Sequence, residues 1–214
     1  TMSDYRFMLE SHLTAEQNRT LNAVQDAANQ ANAGIFLTGG AMRDMLGGYP
    51  IRDLDFTVEA NPTKLAKALE KNASARLGAT DDNKKTIELL FPGGVTASLS
   101  MARVEKYAKP AAKPKVQPAT IHEDLRGRDF TINGMFFDPI EETLIDYVGG
   151  REDLAAGIVR AIGDPVARFT EDNLRMLRAV RFTATFGFTL DAATADAACQ
   201  LRQQLNQVSA ERIA

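Results

Sequence analysis

Leu54, Phe56 and Val58 alternate with Asp53, Asp55 and Thr57, the two-residue period of a strand with one apolar and one polar face. Around this stretch the pattern predicts a compact run of elements. Thr14 and Gln17 suit a capping box and Gly34 a C-terminal stop, which predicts a helix over 14–33. Ile35-Phe36-Leu37 leads into Gly39-Gly40 and then a short helical pattern, giving strand, glycine turn, helix. Asn61-Pro62 caps and starts a second helix, expected to reach residue 76. Two strands are expected over 86–91 and 95–101, joined by Pro92-Gly93-Gly94. Residues 109–118, with three prolines and three lysines, read as an extended, mobile loop. A short hairpin follows, 135–138 with 144–147, and everything after residue 153 is helical in pattern. No internal repeat is visible. The fold class expected is α+β: a small mixed sheet over 1–148, then an all-helical unit over 149–214.

Composition narrows this little. The chain has 214 residues, 44% hydrophobic and 25% charged, the profile of an ordinary soluble protein. No apolar run approaches the ~20 residues of a membrane span, and no secretory signal is visible, so no membrane partner and a cytoplasmic location are expected. Cys199 is the lone cysteine, which excludes an internal disulfide or a cysteine metal cluster. A net charge of −3 argues against a general polyanion binder. Residues 101–128 nevertheless hold seven Lys/Arg against three Asp/Glu, either an attraction for RNA phosphate or a solvated lysine-rich loop.

The candidate chemistry starts at the acidic strand face. Asp53 and Asp55 point the same way, roughly 6.5–7 Å apart along the backbone, and the apolar face keeps them from turning away. Two ionised carboxylates side by side repel unless a cation lies between them. Mg²⁺ suits oxygen ligands and commonly takes one or two carboxylates plus substrate phosphates. Glycines let backbone N–H groups approach phosphate oxygens, the following helix start favours anions, and Arg43 adds a positive charge one turn in. Alone, an Asp-x-Asp reads as a solvated strand face and a Gly-Gly pair as a turn. In this order and spacing, Gly39, Gly40, Arg43, Asp53 and Asp55 describe a site for a metal-bound nucleoside triphosphate.

Three blocks then carry a resemblance. The run from Leu37 to Val58 resembles the nucleotidyltransferase signature of the class II tRNA nucleotidyltransferase (CCA-adding enzyme) and bacterial poly(A) polymerase family. The run Glu123 to Gly134, containing Arg128-Asp129-Phe130-Thr131-Ile132-Asn133, resembles that family's Arg-Arg-Asp-Phe-Thr-x-Asn-Ala block. A third match runs from Ile145 through Gly163-Asp164-Pro165 and Arg168 to Phe182. The resemblance covers residues 35–188. It implies a polymerase-beta-like nucleotidyltransferase head followed by a helical neck, with Mg²⁺ on Asp53 and Asp55. It also implies ribose and phosphate contacts from Arg128, Asp129 and Asn133, and base selection by Asp172 and Arg175, with Arg178 beside them. On a helix, Asp172 and Arg175 are spaced i, i+3 and Glu171 and Arg175 i, i+4, which also describes plain helical salt bridges. As readers of a base, a carboxylate accepts from an exocyclic amino group and an arginine donates to the adjacent ring acceptor. That edge is common to cytosine and adenine and is not offered by uracil or guanine. Leu174, Leu177 and Phe182 are expected in the core.

Two positions depart from the pattern. Gly127 stands where the first arginine of the pair belongs, and Ser98 where a third acid is expected; Glu88 on the adjacent strand is a candidate substitute. Between Asn61 and Phe91 there is no Gly-Arg-Arg-Phe-like segment of the poly(A) polymerase kind, which leans toward tRNA. The implied activity is template-independent addition of C or A from CTP or ATP to the 3′ end of tRNA, releasing pyrophosphate. The alternatives are a poly(A) polymerase, a non-catalytic nucleotide- or RNA-binding relative, or nucleotidyl transfer to a small molecule, which the base-reading block disfavours. Thr1 before Met2 reads as an added residue. The chain's last residues, from Ser209 to Ala214, read as the inside of a neck helix, as in a head-and-neck piece or a naturally short form.

Overall fold

A computed structural model of the chain describes residues 4–203; the expectations on Thr1 and on the stretch from Ser209 to Ala214 lie outside these residues. Two helices open the fold, α1 (Asp4–His12), which the pattern did not predict, and α2 (Ala15–Gln30). Both halves of the capping box form at Thr14. The helix stops at Ala31 rather than at Gly34, the turn being taken by Asn32 with φ 52°. Gly34 serves a different need: a Cβ there would stand 2.5 Å from Oε1 of Glu59.

The sheet elements follow: β1 (Ile35–Leu37), α3 (Ala41–Gly47), β2 (Leu54–Val58), α4 (Pro62–Asn72), β3 (Arg76–Asp81), β4 (Thr86–Phe91) and β5 (Val95–Met101). α4 starts as expected at an Asn61 cap but ends before residue 76, because Arg76 already belongs to a strand. The stretch expected as a mobile loop is only partly one: β6 (Arg103–Lys106) pairs antiparallel with β7 (Lys115–Pro118). α5 (Ile121–Leu125), capped by Thr120 and Glu123, leads to a 3₁₀ turn at Thr131–Asn133. The hairpin β8 (Phe136–Asp138) with β9 (Thr143–Ile145) is shorter than predicted.

Seven strands form one sheet in the order β3-β4-β5-β2-β1-β8-β9. Only β2 and β5 run parallel within it, which makes the sheet mixed as expected. Leu54, Phe56 and Val58 of β2 and Leu99 of β5 are buried with Leu21 and Val24 of α2 and Leu65 and Leu69 of α4. Burial of that face leaves Asp55, Ser98 and Glu88 on the other.

The remainder is α6 (Gly150–Ala156), β10 (Ile158–Val159), α7 (Pro165–Glu171), α8 (Leu174–Phe186), β11 (Thr189–Leu190) and α9 (Ala192–Leu201). Its all-helical expectation needs one correction, since β10 and β11 pair in parallel. Phe130 and Ile132, from the stretch before β8, are buried among Val159, Phe169, Met176 and Ala179, so the segment leading into the sheet's β8 is held in a second core with the helices. No helix among the described residues is long and apolar enough to cross a membrane.

Candidate active site

The acidic face of β2 is built by its parallel neighbour. Asp55 pairs in register with Ser98, and Ser98 Oγ donates to Asp55 Oδ1 at 2.8 Å. Thr96 Oγ1 donates to Asp53 Oδ1 at 2.6 Å. The serine found where an acid was expected therefore anchors the carboxylate beside it. Burial raises the Asp55 carboxyl above its ordinary 3.8, and the charge of Asp53 adds to this, against the Ser98 hydrogen bond and Arg128. Thr38 N donates to Asp55 O at 2.7 Å, so the glycine turn after β1 is stapled to the same strand. Gly39 has φ 65°, and a Cβ there would lie 2.7 Å from Asp55 Oδ2. Only glycine accommodates both that backbone conformation and that approach.

From the turn a chain of polar contacts crosses the cleft. Arg43 Nε donates to Asp44 Oδ1 at 3.0 Å and Nη1 to Asn133 Oδ1 at 2.5 Å. Asn133 Nδ2 donates to Asp129 Oδ1 at 3.1 Å, and Arg178 Nε to Asp129 Oδ2 at 2.8 Å. Arg128 donates to Asp124 Oδ1 at 2.9 Å and to Thr57 Oγ1 at 3.0 Å, its guanidinium 5.1 Å from the Phe136 ring centre. Arg43 lies 5.3 and 5.0 Å from the Phe182 and Phe186 ring centres, within cation–π range. Gly127, the other departure, offers its carbonyl to Arg168 Nη2 at 2.7 Å.

Asp172 and Arg175 do not share one helix. The chain breaks between α7 and α8: Asp172 is extended, with φ −144° and ψ 103°, and α8 begins at Leu174. The i, i+4 pair does form, Arg175 Nη1 donating to Glu171 Oε2 at 2.9 Å as well as to Arg168 O at 2.7 Å. Arg168 Nη1 reaches the same Glu171 oxygen at 2.6 Å. Arg175 Nη2 makes a long 3.4 Å contact with the Tyr107 hydroxyl. That hydroxyl donates to Glu105 Oε2 at 2.9 Å; burial first, and the Glu105 charge next, push the Tyr107 pKa up to about 12.

A cleft of about 430 Å³ collects Gly39, Gly40, Arg43, Asp55, Arg128, Asp129, Asn133, Asp172, Arg175 and Arg178. Asp53, the remaining residue singled out from the sequence, lines two recesses that adjoin it through Asp55. Several cleft residues were not among the candidate site residues. Lys84, Glu105 and Phe182 line it too, with Tyr107 in the adjoining recess that Asp172 and Arg175 share. Leu174, Leu177 and Phe182 are half-buried rather than fully in the core, and Leu174 and Phe182 face the cleft. Arg43 and Arg178 both approach the Phe182 ring, a pairing that no spacing in the sequence announces. Among the described residues no group of three or more His, Cys, Asp or Glu is placed to hold a metal ion. The donor set at Asp53 and Asp55 is two carboxylates, each anchored by a hydroxyl. That set fits a hard divalent cation that completes its shell with phosphate and water.

Residues 35–160 match the family model described as the poly(A) polymerase head domain. The chain is similar to the CCA-adding enzyme of Lactobacillus helveticus, 35% identical over 197 residues, 90% of this chain and 46% of the relative. It is also similar to the A-adding tRNA nucleotidyltransferase of Aquifex aeolicus, 40% identical over 162 residues, 74% of this chain and 19% of that one. Among solved structures, the Bacillus stearothermophilus CCA-adding enzyme in complex with CTP aligns with a TM-score of 0.76 and 30% identity, covering 94% of this chain and 47% of that one. The chain thus spans about half the length of the CCA-adding enzymes it matches.

Proposed function

The chain belongs to the poly(A) polymerase head-domain family, and on that premise we propose that the intact protein is a template-independent RNA nucleotidyltransferase adding C, A or both to the 3′ end of tRNA. The observation that carries this reading is the cleft that joins Asp55 to an arginine-lined wall and to Asp172 and Arg175, with Asp53 beside Asp55 in the adjoining recesses. In this reading residues 1–148 are the nucleotidyltransferase head and 149–214 the helical neck.

Each group has a task. Asp53 and Asp55 hold a divalent ion, Mg²⁺, which when bound neutralises phosphate charge and aligns the reacting oxygens. Gly39, Gly40 and Arg43 cradle the triphosphate. Asp129 and Asn133 hold the ribose, with Arg128 alongside, and a site made to pair a hydroxyl rejects a sugar that lacks it. Asp172 and Arg175 read the base. The weak Arg175 contact to Tyr107 is one that a ring acceptor of cytosine or adenine can replace. The RNA 3′-hydroxyl attacks the α-phosphorus of CTP or ATP, and pyrophosphate leaves.

The tRNA-adding relatives and the lack of a Gly-Arg-Arg-Phe-like segment between Asn61 and Phe91 support tRNA over poly(A) synthesis. The test is incorporation of labelled CTP and ATP, singly and together, on a tRNA lacking its 3′ end. The intact protein extends this RNA with C or A, not with U or G, and Asp53→Ala/Asp55→Ala abolishes extension. Nucleotide binding without extension of any RNA is the result that instead identifies a non-catalytic relative.

A further inference from the structure

Glu88 was named above only as a candidate substitute for the acid expected at Ser98, and its place in the sheet is specific. It lies opposite Ser98 in the β4–β5 pairing, and Ser98 lies opposite Asp55 in the β5–β2 pairing. Directly paired residues share a face, so Asp55, Ser98 and Glu88 form one row across three strands. Glu88 is exposed, and its neighbour across the β3–β4 pairing, Gly78, brings no side chain to cover it. Asp53, Asp55, Ser98 and Glu88 line one recess of about 450 Å³, with exposed Leu90 and Thr96.

The sheet order gives this recess a direction. β1 and its glycine turn lie on one side of β2; β5 and β4 lie on the other. The recess on the β1 side carries Arg43 and Arg52, cations suited to the leaving pyrophosphate. The β4–β5 recess is lined by no lysine or arginine, and Glu88 is its one acid besides Asp53 and Asp55. Displacement at phosphorus places the entering and leaving oxygens in line. If pyrophosphate departs on the arginine side, the hydroxyl enters on the Glu88 side.

We propose that the β4–β5 recess receives the sugar end of the acceptor strand and that Glu88 takes the proton of the attacking 3′-hydroxyl. This rests on the nucleotidyltransferase reading. In the step, a bond forms from the acceptor oxygen to the α-phosphorus and the bond from that phosphorus to the bridging oxygen of pyrophosphate breaks. The hydroxyl proton passes to the Glu88 carboxylate, and no redox partner is needed. Ser98, between the two acids, keeps Asp55 in place and leaves room for the incoming sugar.

The test uses the intact protein and a tRNA lacking its 3′ end. Glu88→Gln, which changes charge and not size at an exposed site, lowers kcat for incorporation about 100-fold, while the Kd for ATP and the melting temperature stay as in the parent. Glu88→Asp, which keeps the charge but not the size, stays at least about tenfold faster than Glu88→Gln, an order that a purely structural role for Glu88 does not predict. An active parent with an equally fast Glu88→Gln variant overturns the proposal alone. A Glu88→Asp variant as slow as Glu88→Gln overturns it as well. A parent that transfers no nucleotide to any RNA removes the underlying reading, and this proposal with it.

Discussion

Burial and the adjacent charge of Asp53 both disfavour ionised Asp55, so its folded-state pKa lies above 3.8. Between 3.8 and that raised value the folded chain holds more protons than the unfolded one. This group's contribution to stability therefore falls as pH rises through that window, and the penalty is fully present above it. Asp55→Asn keeps an oxygen for the Ser98 hydroxyl and removes the charge. Thermal melts without metal should show this variant more stable than the parent at pH 7, by about 0.5–2 kcal/mol, with the advantage gone at pH 3. Added Mg²⁺ should raise the parent's melting temperature and leave the variant's unchanged. A variant less stable than the parent at pH 7 contradicts the account. Gly39 meets Asp55 from the other side. Gly39→Ala forces a side chain to φ 65° and into the carboxylate, at a cost of about 1–2 kcal/mol from the backbone alone. Incorporation assays should find activity lost at temperatures where circular dichroism shows the variant still folded.

Elements were legible where one face is buried and a cap has its side chain. α2 was read from Thr14, and Thr14→Ala should cost about 1 kcal/mol in denaturant unfolding without altering incorporation, since the cap lines no part of the cleft. β2 was read from alternation and β4 and β5 from the strands expected on either side of Pro92-Gly93-Gly94; in β4 and β5 buried residues alternate with less buried ones. β3 gave no such signal because all six of its residues are exposed. β6 and β7 were hidden because neither carries a buried residue. The positions of the site were legible, but part of its geometry was not. The break at Asp172 contains neither Gly nor Pro, so Asp172 to Phe182 read as continuous helix. One consequence is a different test of base selection: Glu171, through a single oxygen, holds both Arg168 and Arg175. Glu171→Gln weakens a charge-assisted hydrogen bond worth about 1.5–3 kcal/mol, which should reduce the preference for CTP and ATP over UTP and GTP by roughly tenfold. Single-turnover incorporation with each of the four nucleotides measures it, and unchanged selectivity would remove Glu171 from the positioning of Arg175.

At the scale of the whole molecule, the segment around Phe130 joins the sheet to the helices. Phe130 and Ile132 are buried in the helical core, Thr131 N donates to Arg160 O at 2.9 Å, and Ile162 N donates to Asp129 O at 3.0 Å. Thr131 Oγ1 donates to Asp153 Oδ2 at 2.6 Å, and Arg168 closes on the carbonyls of Gly127 and Arg128. The residues proposed to hold the ribose flank or belong to this joint, and those proposed to read the base follow it, Asp172 at the break between α7 and α8 and Arg175 on α8. A bound nucleotide therefore touches both sides of the joint and stabilises them together. Calorimetry on the chain should show one unfolding transition rather than two. At 100 times its Kd, CTP or ATP with Mg²⁺ should add about 2.7 kcal/mol, an upward shift of roughly 5–10 °C for a chain of this size. At the same concentration UTP and GTP should give smaller shifts, because only the triphosphate and ribose contacts remain to them. Asp172→Ala should make the four nucleotides more nearly equal by lowering the CTP and ATP shifts toward those of UTP and GTP. Two separate transitions, with nucleotide moving only one, would mean that sheet and helices fold independently and that the cleft between them is not a single binding site.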